Sequence, residues 1–321
     1  MTSPGKYRHL AQSSTAAGHF VILAIDHRRN LWDALQAAQP EPLTAHTFAA
    51  FKRAVIEVLA PLATAVLVDP EFGIGPGIRE GYLPPDRGLL APLEVTDYSL
   101  HPSARAYRPI DGWSVRKIKR IGGAGVKLLL YYHPEAANAA SQRDVVARAV
   151  EDCAREDIPL FLEPIAYSLD PGRPLSPAER RQIVIENART FSAMGTDVLK
   201  IEFPVDVAHE PDETVWAAAL ADLDDACSVP WALLSGGVPY AIFRRQVELA
   251  CAAGASGVIA GRALWSEAIA AQGMARHEFL VNVGRERIAD LAAICAENGR
   301  PWRATLPAPE IPALWYEKYG E

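Results

Sequence analysis

The chain has 321 residues, a formal net charge of −7 and a sequence pI near 5.7. This acidic balance argues against a nucleic-acid-binding protein, because such proteins usually carry a basic face. The sequence contains no apolar signal core and no apolar run long enough to span a bilayer, so we expect a cytoplasmic protein without a membrane partner. We interpret the four widely spaced cysteines as reduced, packed thiols: Cys153, Cys227, Cys251 and Cys295.

Apolar runs of strand length recur along the chain. The runs are continuous rather than alternating, which is typical of strands that are buried on both faces of a parallel sheet. In chain order, the predicted strands cover residues 20–25, 65–68, 89–95, 125–132, 159–167, 197–203, 231–234 and 257–260.

Helical segments separate these runs, with apolar residues at helical spacing in 46–62, 239–254 and about 274–298. The clearest helix is 176–195, where Ser176 and Glu179 can form a capping box and Gly195 can end the helix. Eight strands followed by helices or long loops predict a single (β/α)₈ barrel domain over residues 1–321. The alternative is an open doubly wound sheet, which usually has a glycine-rich loop after its first strand; here that strand runs into DHRRN.

Polar residues are concentrated at the carboxyl ends of the predicted strands, where barrels of this type carry their chemistry. Convergence of so many polar groups on one rim is harder to explain by packing than a single polar residue would be. The residues concerned are Asp26, His27, Arg28, Arg29, Asp69, Glu71, Lys127, His133, Glu163, Lys200, Glu202, Ser235, Gly236, Gly237, Gly261 and Arg262.

Lys200 lies inside the apolar run TDVLKIEFP, and Lys127 is expected across the barrel mouth from it. Two ammonium groups in one desolvated site disfavour each other's charge, so the pKa of one lysine should fall. A neutral Lys200 could attack a ketone carbon to form an iminium ion, while Glu163 moves protons and Asp26 orients a substrate hydroxyl. The alternative is structural: Lys127, Glu163, Lys200 and Glu202 could form a buried ion network that closes the barrel.

The residues at the ends of the last two strands predict an anion-binding site. Gly236 and Gly237 would let backbone N–H groups approach a phosphate closely, and Arg262 adds a fork of donors. The loops after the seventh and eighth strands commonly form the phosphate site of such barrels. SGG followed by GR in these two places therefore predicts a phosphate or a similar oxyanion.

Seven motifs are spread over nearly the whole chain: AIDHR, VDPEFG, VKLLLYYHPE, FLEPIAY, DVLKIEFPVD, LLSGGV and GVIAGRALW. In this order they resemble the motifs of class I aldolases typified by tagatose-1,6-bisphosphate aldolase, and those of the related sulfofructosephosphate aldolases. The resemblance implies a Schiff base on Lys200, acid–base chemistry by Glu163, support from Lys127 and substrate contact by Asp26. It also implies that the phosphate of a dihydroxyacetone phosphate half is held by Ser235, Gly236, Gly237, Gly261 and Arg262. Neither a cofactor nor a metal is expected, because an iminium replaces the zinc ion of metal-dependent aldolases.

One motif departs from the family pattern, since AIDHRRNL stands where the tagatose enzymes read AIDQRGAL. We expect this region to face the far end of the substrate. There His27, Arg28, Arg29 and Asn30 could bind a phosphate, a sulfonate or a carboxylate. The phrase AIDHR also resembles aldolase-like domains of inositol catabolism, which act on a phosphorylated deoxy-keto sugar acid, although the rest of the chain is less similar to them.

The sequence therefore predicts an aldolase that cleaves a phosphorylated ketose into dihydroxyacetone phosphate and a three-carbon anionic aldehyde. Two alternatives stay open: a sugar-phosphate isomerase or epimerase with Glu163 as base, and a non-catalytic sugar-phosphate sensor. We expect a homo-oligomer. The tail 312–320 is expected to pack on the surface. The alternatives are that it covers a neighbouring subunit or the barrel mouth, where Tyr316 and Tyr319 could reach the site.

Overall fold

A computed structural model describes residues 2–320 of the chain. Its strands hydrogen-bond to one another in sequence order, all in parallel, and the last pairs with the first to close a barrel. The strands are β1 Phe20–Ile25, β2 Ala65–Val68, β3 Gly88–Pro92, β4 Gly125–Tyr131, β5 Leu160–Ile165, β6 Val198–Ile201, β7 Trp231–Leu234 and β8 Gly257–Ala260. The predicted (β/α)₈ fold is confirmed, although β3 ends three residues earlier than predicted.

Helices surround the barrel. They are α1 Pro4–Gln12, α2 Arg29–Ala37, α3 Ala45–Leu59, α4 Gly75–Glu80, α5 Val115–Arg120, α6 Ala139–Arg155, α7 Pro177–Ser192, α8 Glu213–Ala226, α9 Tyr240–Ala253, α10 Arg262–Trp265, α11 Gly273–Phe279 and α12 Arg285–Asn298. The long final helix predicted near 274–298 is in fact α11 and α12, joined by a π-helical turn at Leu280–Gly284. None of the helices within residues 2–320 is long and apolar enough to cross a membrane.

The capping box predicted for α7 is present. The Glu179 backbone N–H donates to Ser176 Oγ, and the Ser176 backbone N–H donates to the Glu179 carboxylate at 2.8 Å. The helix ends at Ser192, before Gly195 turns the chain with a φ of 86°. The capping box therefore satisfies backbone N–H groups at the start of α7.

The barrel interior explains how the site is placed. Successive side chains of a strand alternate between the interior and the helix layer. One apolar cluster fills the lower barrel: Phe20, Ile22, Ala24, Ala65, Leu67, Leu90, Phe161, Val198, Ala232 and Ile259, closed below by Leu10 and Trp302. One inward step beyond Ala24, Phe161 and Val198 come the polar residues Asp26, Glu163 and Lys200, at the mouth.

A fully buried ion pair lies beside the mouth, between Lys52 of α3 and Asp69 at the end of β2. Lys52 Nζ also donates to the Ile25 carbonyl at 3.0 Å, and Asp69 Oδ2 accepts from the Phe72 N–H at 2.8 Å. Asp69 is therefore occupied in holding α3 and the following turn. Although the sequence groups Asp69 with the polar rim, Asp69 does not line the cavity at the barrel mouth.

Replacing Lys52 with Met should lower the free energy of unfolding by about 3–5 kcal/mol, because the Asp69 carboxylate would stay buried without its partner. Urea denaturation of the purified protein measures this change. Arg155→Met is the matched control, since it breaks an exposed ion pair with Asp152 and should have a much smaller effect. Equal midpoints for Lys52→Met and the wild type would contradict the prediction.

The C-terminal tail lies at the end of the barrel opposite the mouth. Tyr319 lies beside Gly5 of α1 and Asp157, the latter in the loop that leads into β5. Tyr316 is largely exposed. Neither tyrosine reaches the polar residues at the mouth in this chain.

Candidate active site

Five buried charged residues meet at the barrel mouth. Lys127 Nζ lies 2.7 Å from Glu94 Oε1, 3.0 Å from Asp26 Oδ2 and 3.1 Å from Glu163 Oε2. The same Glu163 oxygen lies 3.0 Å from Lys200 Nζ. The structure thus brings together the four residues that the sequence predicts as catalytic, with Glu163 shared between the two ammonium groups.

Glu94 is the member of this cluster that the sequence reasoning missed. It lies two residues beyond the end of β3, and its side chain is only 6% exposed. The signal was available, because Leu90 points into the barrel and Glu94 lies two inward steps further along. The prediction of 89–95 as one apolar strand did not single out Glu94 as a polar residue of the rim.

The carboxylates dominate the electrostatics. Burial opposes the charge of Lys127, but Asp26, Glu163 and Glu94 outweigh it and raise the pKa of Lys127 well above its usual value. Lys127 is therefore not the lysine whose pKa falls, and Glu94 is a third carboxylate that the sequence did not predict. Burial likewise opposes ionisation of Glu163, yet the neighbouring Lys127 and Lys200 lower the pKa of Glu163. Burial raises the pKa of Glu94.

A cavity with two lobes opens above this cluster. The first lobe, about 460 Å³, reaches the ends of β7 and β8 and is lined by Ser235, Gly236, Gly261 and Arg262; we call it the glycine-loop lobe. The second, about 280 Å³, reaches Arg28, Arg29 and Glu71; we call it the arginine lobe. The two lobes share five lining residues: His27, Tyr98, Leu129, Glu163 and Lys200. Lys200 and Glu163 thus lie at the junction, which suits a substrate that extends in both directions.

The glycine-loop lobe has the backbone geometry that only glycine adopts easily. Gly236 and Gly237 have φ values of 58° and 88°. Arg262 lies across this loop, and its Nη2 donates to the Gly236 carbonyl at 3.1 Å. A Cβ on Gly237 would lie 2.8 Å from Arg262 Cζ. Gly237 therefore underlies the arginine, while Ser235, Gly236, Gly261 and Arg262 face the cavity.

Four residues were expected at the far end of the substrate. Asn30 lines the glycine-loop lobe instead, and the other three are placed differently from one another. Arg28 lines the arginine lobe, and its guanidinium donates to the Glu94 backbone carbonyl. Arg29 begins α2, and its side chain is 75% exposed and paired with Asp33 at 3.0 Å. His27 lies at the junction of the lobes, where burial lowers the pKa of His27 to about 4 and keeps its ring neutral.

Comparison with known proteins decides the family. Residues 20–267 match the model of the DeoC/LacD family aldolases. The chain is 32% identical over 321 residues to tagatose 1,6-diphosphate aldolase of Streptococcus agalactiae serotype V, covering 93% of this chain and 98% of that protein. The chain belongs to the DeoC/LacD aldolase family. It is therefore an enzyme of the aldehyde-lyase type, and the resemblance given by its motifs is confirmed.

Other relatives agree with this assignment. The tagatose 1,6-diphosphate aldolase of Lactococcus lactis is 31% identical to this aldolase, with 92% of this chain and 97% of that protein covered. Among solved structures, an archaeal fructose 1,6-bisphosphate aldolase has a TM-score of 0.60 at 19% identity, with 90% and 98% covered. The fructose-bisphosphate aldolase of Plasmodium falciparum has a TM-score of 0.66 at 12% identity, with 93% and 97% covered. These structures share the barrel fold with this aldolase.

Glu202 lies outside the five-residue cluster, although it follows Lys200 by two residues. One of its oxygens pairs with Arg180 at 3.2 Å, and the other accepts from the Ala166 N–H at 2.7 Å. Burial raises the pKa of Glu202 despite these contacts. The buried ion network predicted as the structural alternative therefore exists in this aldolase around Lys127, Glu163 and Lys200, but with Glu94 and Asp26 rather than Glu202.

Two further predictions concern His133 and the binding of a metal ion. His133 follows β4, with its ring 6.0 Å from the ring of Tyr167, and it lines neither lobe. Within residues 2–320, no group of three or more His, Cys, Asp or Glu side chains is arranged to hold a metal ion. The carboxylates around Lys127 are instead paired with its ammonium group.

Proposed function

We propose that this aldolase reversibly cleaves a phosphorylated ketose through a Schiff base on Lys200. The products are dihydroxyacetone phosphate and a three-carbon aldehyde that carries an anionic group. One observation carries the proposal: Lys200 Nζ lies 3.0 Å from Glu163 Oε2 at the junction of two lobes. A lysine with an adjacent carboxylate is the arrangement that covalent catalysis on a ketone requires.

The steps follow from these contacts. Glu163, held ionised by the two lysines, accepts the proton that Lys200 must lose before its amine attacks the C2 carbonyl. Loss of water then gives an iminium ion. Removal of the C4 hydroxyl proton breaks the C3–C4 bond, and its electron pair moves into the iminium to give an enamine while the aldehyde leaves. Protonation at C3 and hydrolysis of the imine release dihydroxyacetone phosphate and free Lys200.

Lys127 and Asp26 support this sequence. Lys127 stays charged because three carboxylates surround it, so it stabilises the ionised Glu163 and any oxyanion that forms beside it. Asp26, whose pKa is lowered by Lys127 and Lys200 against the effect of burial, is ionised and can accept a hydrogen bond from a substrate hydroxyl. The pair therefore supplies charge stabilisation and orientation rather than covalent chemistry.

The two lobes suggest how the substrate lies. The phosphate on C1 fits the glycine-loop lobe, where Ser235, Gly236, Gly261 and Arg262 line the wall. The aldehyde half would extend into the arginine lobe toward Arg28. Relatives named tagatose 1,6-diphosphate aldolases support a ketohexose 1,6-bisphosphate, and 6-sulfo and 6-carboxy analogues, or a phosphorylated deoxy-keto sugar acid, also carry the required anion.

Borohydride trapping tests the proposal. The protein is incubated with dihydroxyacetone phosphate, reduced, and examined by intact mass and peptide mapping. We expect one adduct, located on Lys200, and none when either the substrate or the borohydride is omitted. Absence of an adduct on any lysine would contradict the Schiff base and favour the isomerase alternative, in which Glu163 acts alone as base. Three-carbon aldehydes with a phosphate, a sulfonate or a carboxylate are then screened as partners.

Gly237→Ala should raise the KM for the phosphorylated substrate by about ten- to a hundredfold, with a smaller change in kcat. The added Cβ would displace Arg262, and the positive φ would strain the loop. Steady-state kinetics measure both constants. Gly122→Ala is the matched control, because Gly122 has a similar φ of 84° but nothing within 4 Å of the added atom. An unchanged KM in Gly237→Ala would argue against phosphate binding at this loop.

A further inference from the structure

A third cavity, of about 260 Å³, lies beside the glycine-loop lobe, and we call it the side cavity. The chain segments that follow β6 and β7 enclose it together with α9 and the Arg180 side chain of α7. Neither Lys200 nor Glu163 lines it, so the reaction proposed above makes no use of this space. Its own lining residues show what it could bind.

Gln246 of α9 lines the side cavity with a buried amide. The residue is only 3% exposed, and within residues 2–320 its amide forms no hydrogen bond with another residue. The amide oxygen and nitrogen are not enclosed by protein, so they are open to the cavity. A buried amide without a partner lowers stability, and such groups in folded proteins normally have one. A ligand in the side cavity would supply both a donor and an acceptor for Gln246.

Two other polar groups on the wall of the side cavity have unused hydrogen-bonding capacity. Arg180 donates to the Phe203 carbonyl from Nε at 3.2 Å and from Nη2 at 3.1 Å, and its Nη2 also donates to Glu202 Oε1 at 3.2 Å. Its Nη1 group has no acceptor in the described part of the chain. The hydroxyl of Ser235, a residue that is 7% exposed, likewise forms no hydrogen bond with any described residue. Three groups around one cavity can therefore contact the same ligand.

The charged groups around the side cavity already have partners, which favours a neutral ligand. Arg180 is paired with Glu202, and Asp206 Oδ2 lies 2.9 Å from His209 Nδ1. An anion would meet two carboxylates, and a cation would meet the guanidinium group. The apolar wall consists of Phe203, Val205, Val207, Leu234 and Val238. A small polyol supplies hydroxyl groups for the amide and the guanidinium, and C–H groups for the apolar wall.

The side cavity and the glycine-loop lobe share one wall. Glu202, Leu234, Ser235 and Gly236 line both of them. Ser235 has a single hydroxyl proton to donate. A ligand in the side cavity that accepts this proton withdraws it from a phosphate in the glycine-loop lobe, so occupation of one site should weaken binding at the other. By thermodynamic linkage the effect is equal in both directions.

We propose that the side cavity binds a small neutral polyol through Gln246, Arg180 and Ser235, and that a bound polyol weakens the binding of dihydroxyacetone phosphate in the glycine-loop lobe. The first half of this inference depends only on the side cavity. The second half rests on the proposed function, since it requires the phosphate beside Ser235. Such a site would let an unphosphorylated polyol act on the enzyme from a position apart from the reacting groups.

Xylitol is a suitable probe for the side cavity. The cavity holds roughly nine water molecules at ~30 Å³ each, which is room for a five-carbon polyol, and xylitol has no carbonyl group that could react with Lys200. Saturation-transfer NMR measures its binding to the purified protein. We expect a dissociation constant in the millimolar range for the wild type, and Gln246→Leu should raise this constant by about tenfold or more.

Two further variants separate binding from folding. Gln142→Leu is the matched control, because Gln142 is also 3% exposed but donates to the carbonyls of Arg105 and Tyr131 and lies outside the side cavity. It should leave xylitol binding unchanged. Val207→Phe places a larger apolar side chain in the wall of the side cavity and should abolish binding. In Gln246→Leu, kcat for ketose cleavage should stay close to that of the wild type, since Gln246 lines neither lobe.

The coupling is measured through the concentration of dihydroxyacetone phosphate that gives half-maximal adduct formation in borohydride trapping. Xylitol should raise this concentration by about three- to tenfold, the effect of one hydrogen bond, and should have no further effect once the side cavity is saturated. In Gln246→Leu the same xylitol concentrations should leave it unchanged.

The possible results are distinguishable. No xylitol binding by the wild type, or equal binding by the wild type and Gln246→Leu, would overturn the site. A half-saturating concentration that keeps rising in proportion to xylitol would also overturn it, because xylitol would then occupy the glycine-loop lobe itself. Binding that depends on Gln246 but leaves dihydroxyacetone phosphate unaffected would overturn the coupling through Ser235. If the wild type forms no adduct, the proposed function fails, while the NMR comparison still decides the side cavity.

Discussion

Lys200→Met should abolish the borohydride-trapped adduct and lower kcat/KM for ketose cleavage by about four orders of magnitude or more. The thioether fills much of the same volume but cannot attack a carbonyl, so the covalent route is lost. The neighbouring charges should stay in place, because Glu163 keeps its contact with Lys127 at 3.1 Å. Intact mass after reduction and a coupled assay for dihydroxyacetone phosphate measure the two effects.

Lys119→Met is the matched control for this substitution. Lys119 is a partly buried lysine whose Nζ contacts His9 at 2.7 Å and the Asp157 carbonyl at 2.9 Å, near the bottom of the barrel. Its loss should leave both adduct and turnover close to those of the wild type. If Lys200→Met kept its activity within tenfold, Lys200 would be a member of an ion network and the reaction would need another nucleophile.

Glu163→Gln should lower kcat by about a hundred- to ten-thousandfold while an adduct on Lys200 still forms, more slowly. The amide keeps the size of the side chain but cannot accept the proton that the C4 hydroxyl loses or return a proton to C3. In the wild type the pKa of Glu163 is lowered, so the carboxylate is ionised at neutral pH. The acid limb of the kcat/KM profile should therefore lie below the ordinary pKa of a glutamate.

Glu202→Gln is the isosteric control for Glu163→Gln. Glu202→Gln alters a buried carboxylate that also lines the glycine-loop lobe but pairs with Arg180 rather than with either lysine. It should affect stability more than turnover, and it should leave the acid limb unchanged. Equal losses of kcat in the two variants would show that Glu163 is not the base.

The charged cluster at the barrel mouth was predictable where polar residues interrupt apolar strands. Lys127, Glu163 and Lys200 each lie in a run that is otherwise apolar, and such a charge must be paired or functional. The strand period then places them on the inner face. Glu94 escaped notice because β3 ends at Pro92, and a carboxylate just beyond a strand looks like an ordinary loop residue.

Other features depend on tertiary contacts that no local pattern reports. The position of Tyr98 depends on Arg105, which stacks on a ring of a neighbouring strand, in a long connection whose path no local sequence pattern determines. Arg28 and Arg29 both line the arginine lobe but have different partners: Arg28 donates to the Glu94 carbonyl, whereas Arg29, at the start of α2, is exposed and pairs with Asp33. The sequence alone does not distinguish these two consecutive arginines, because their partners come from tertiary contacts and from the start of a helix.

Both ends of the described chain meet below the closed floor of the barrel, where Leu10 and Trp302 pack together and Tyr319 lies beside Gly5. The mouth opens on the opposite side. A tag, a fusion partner or a surface attachment at either terminus would therefore lie away from the cavity that contains Lys200. The protein can be immobilised through either terminus with the mouth of the barrel facing the solution.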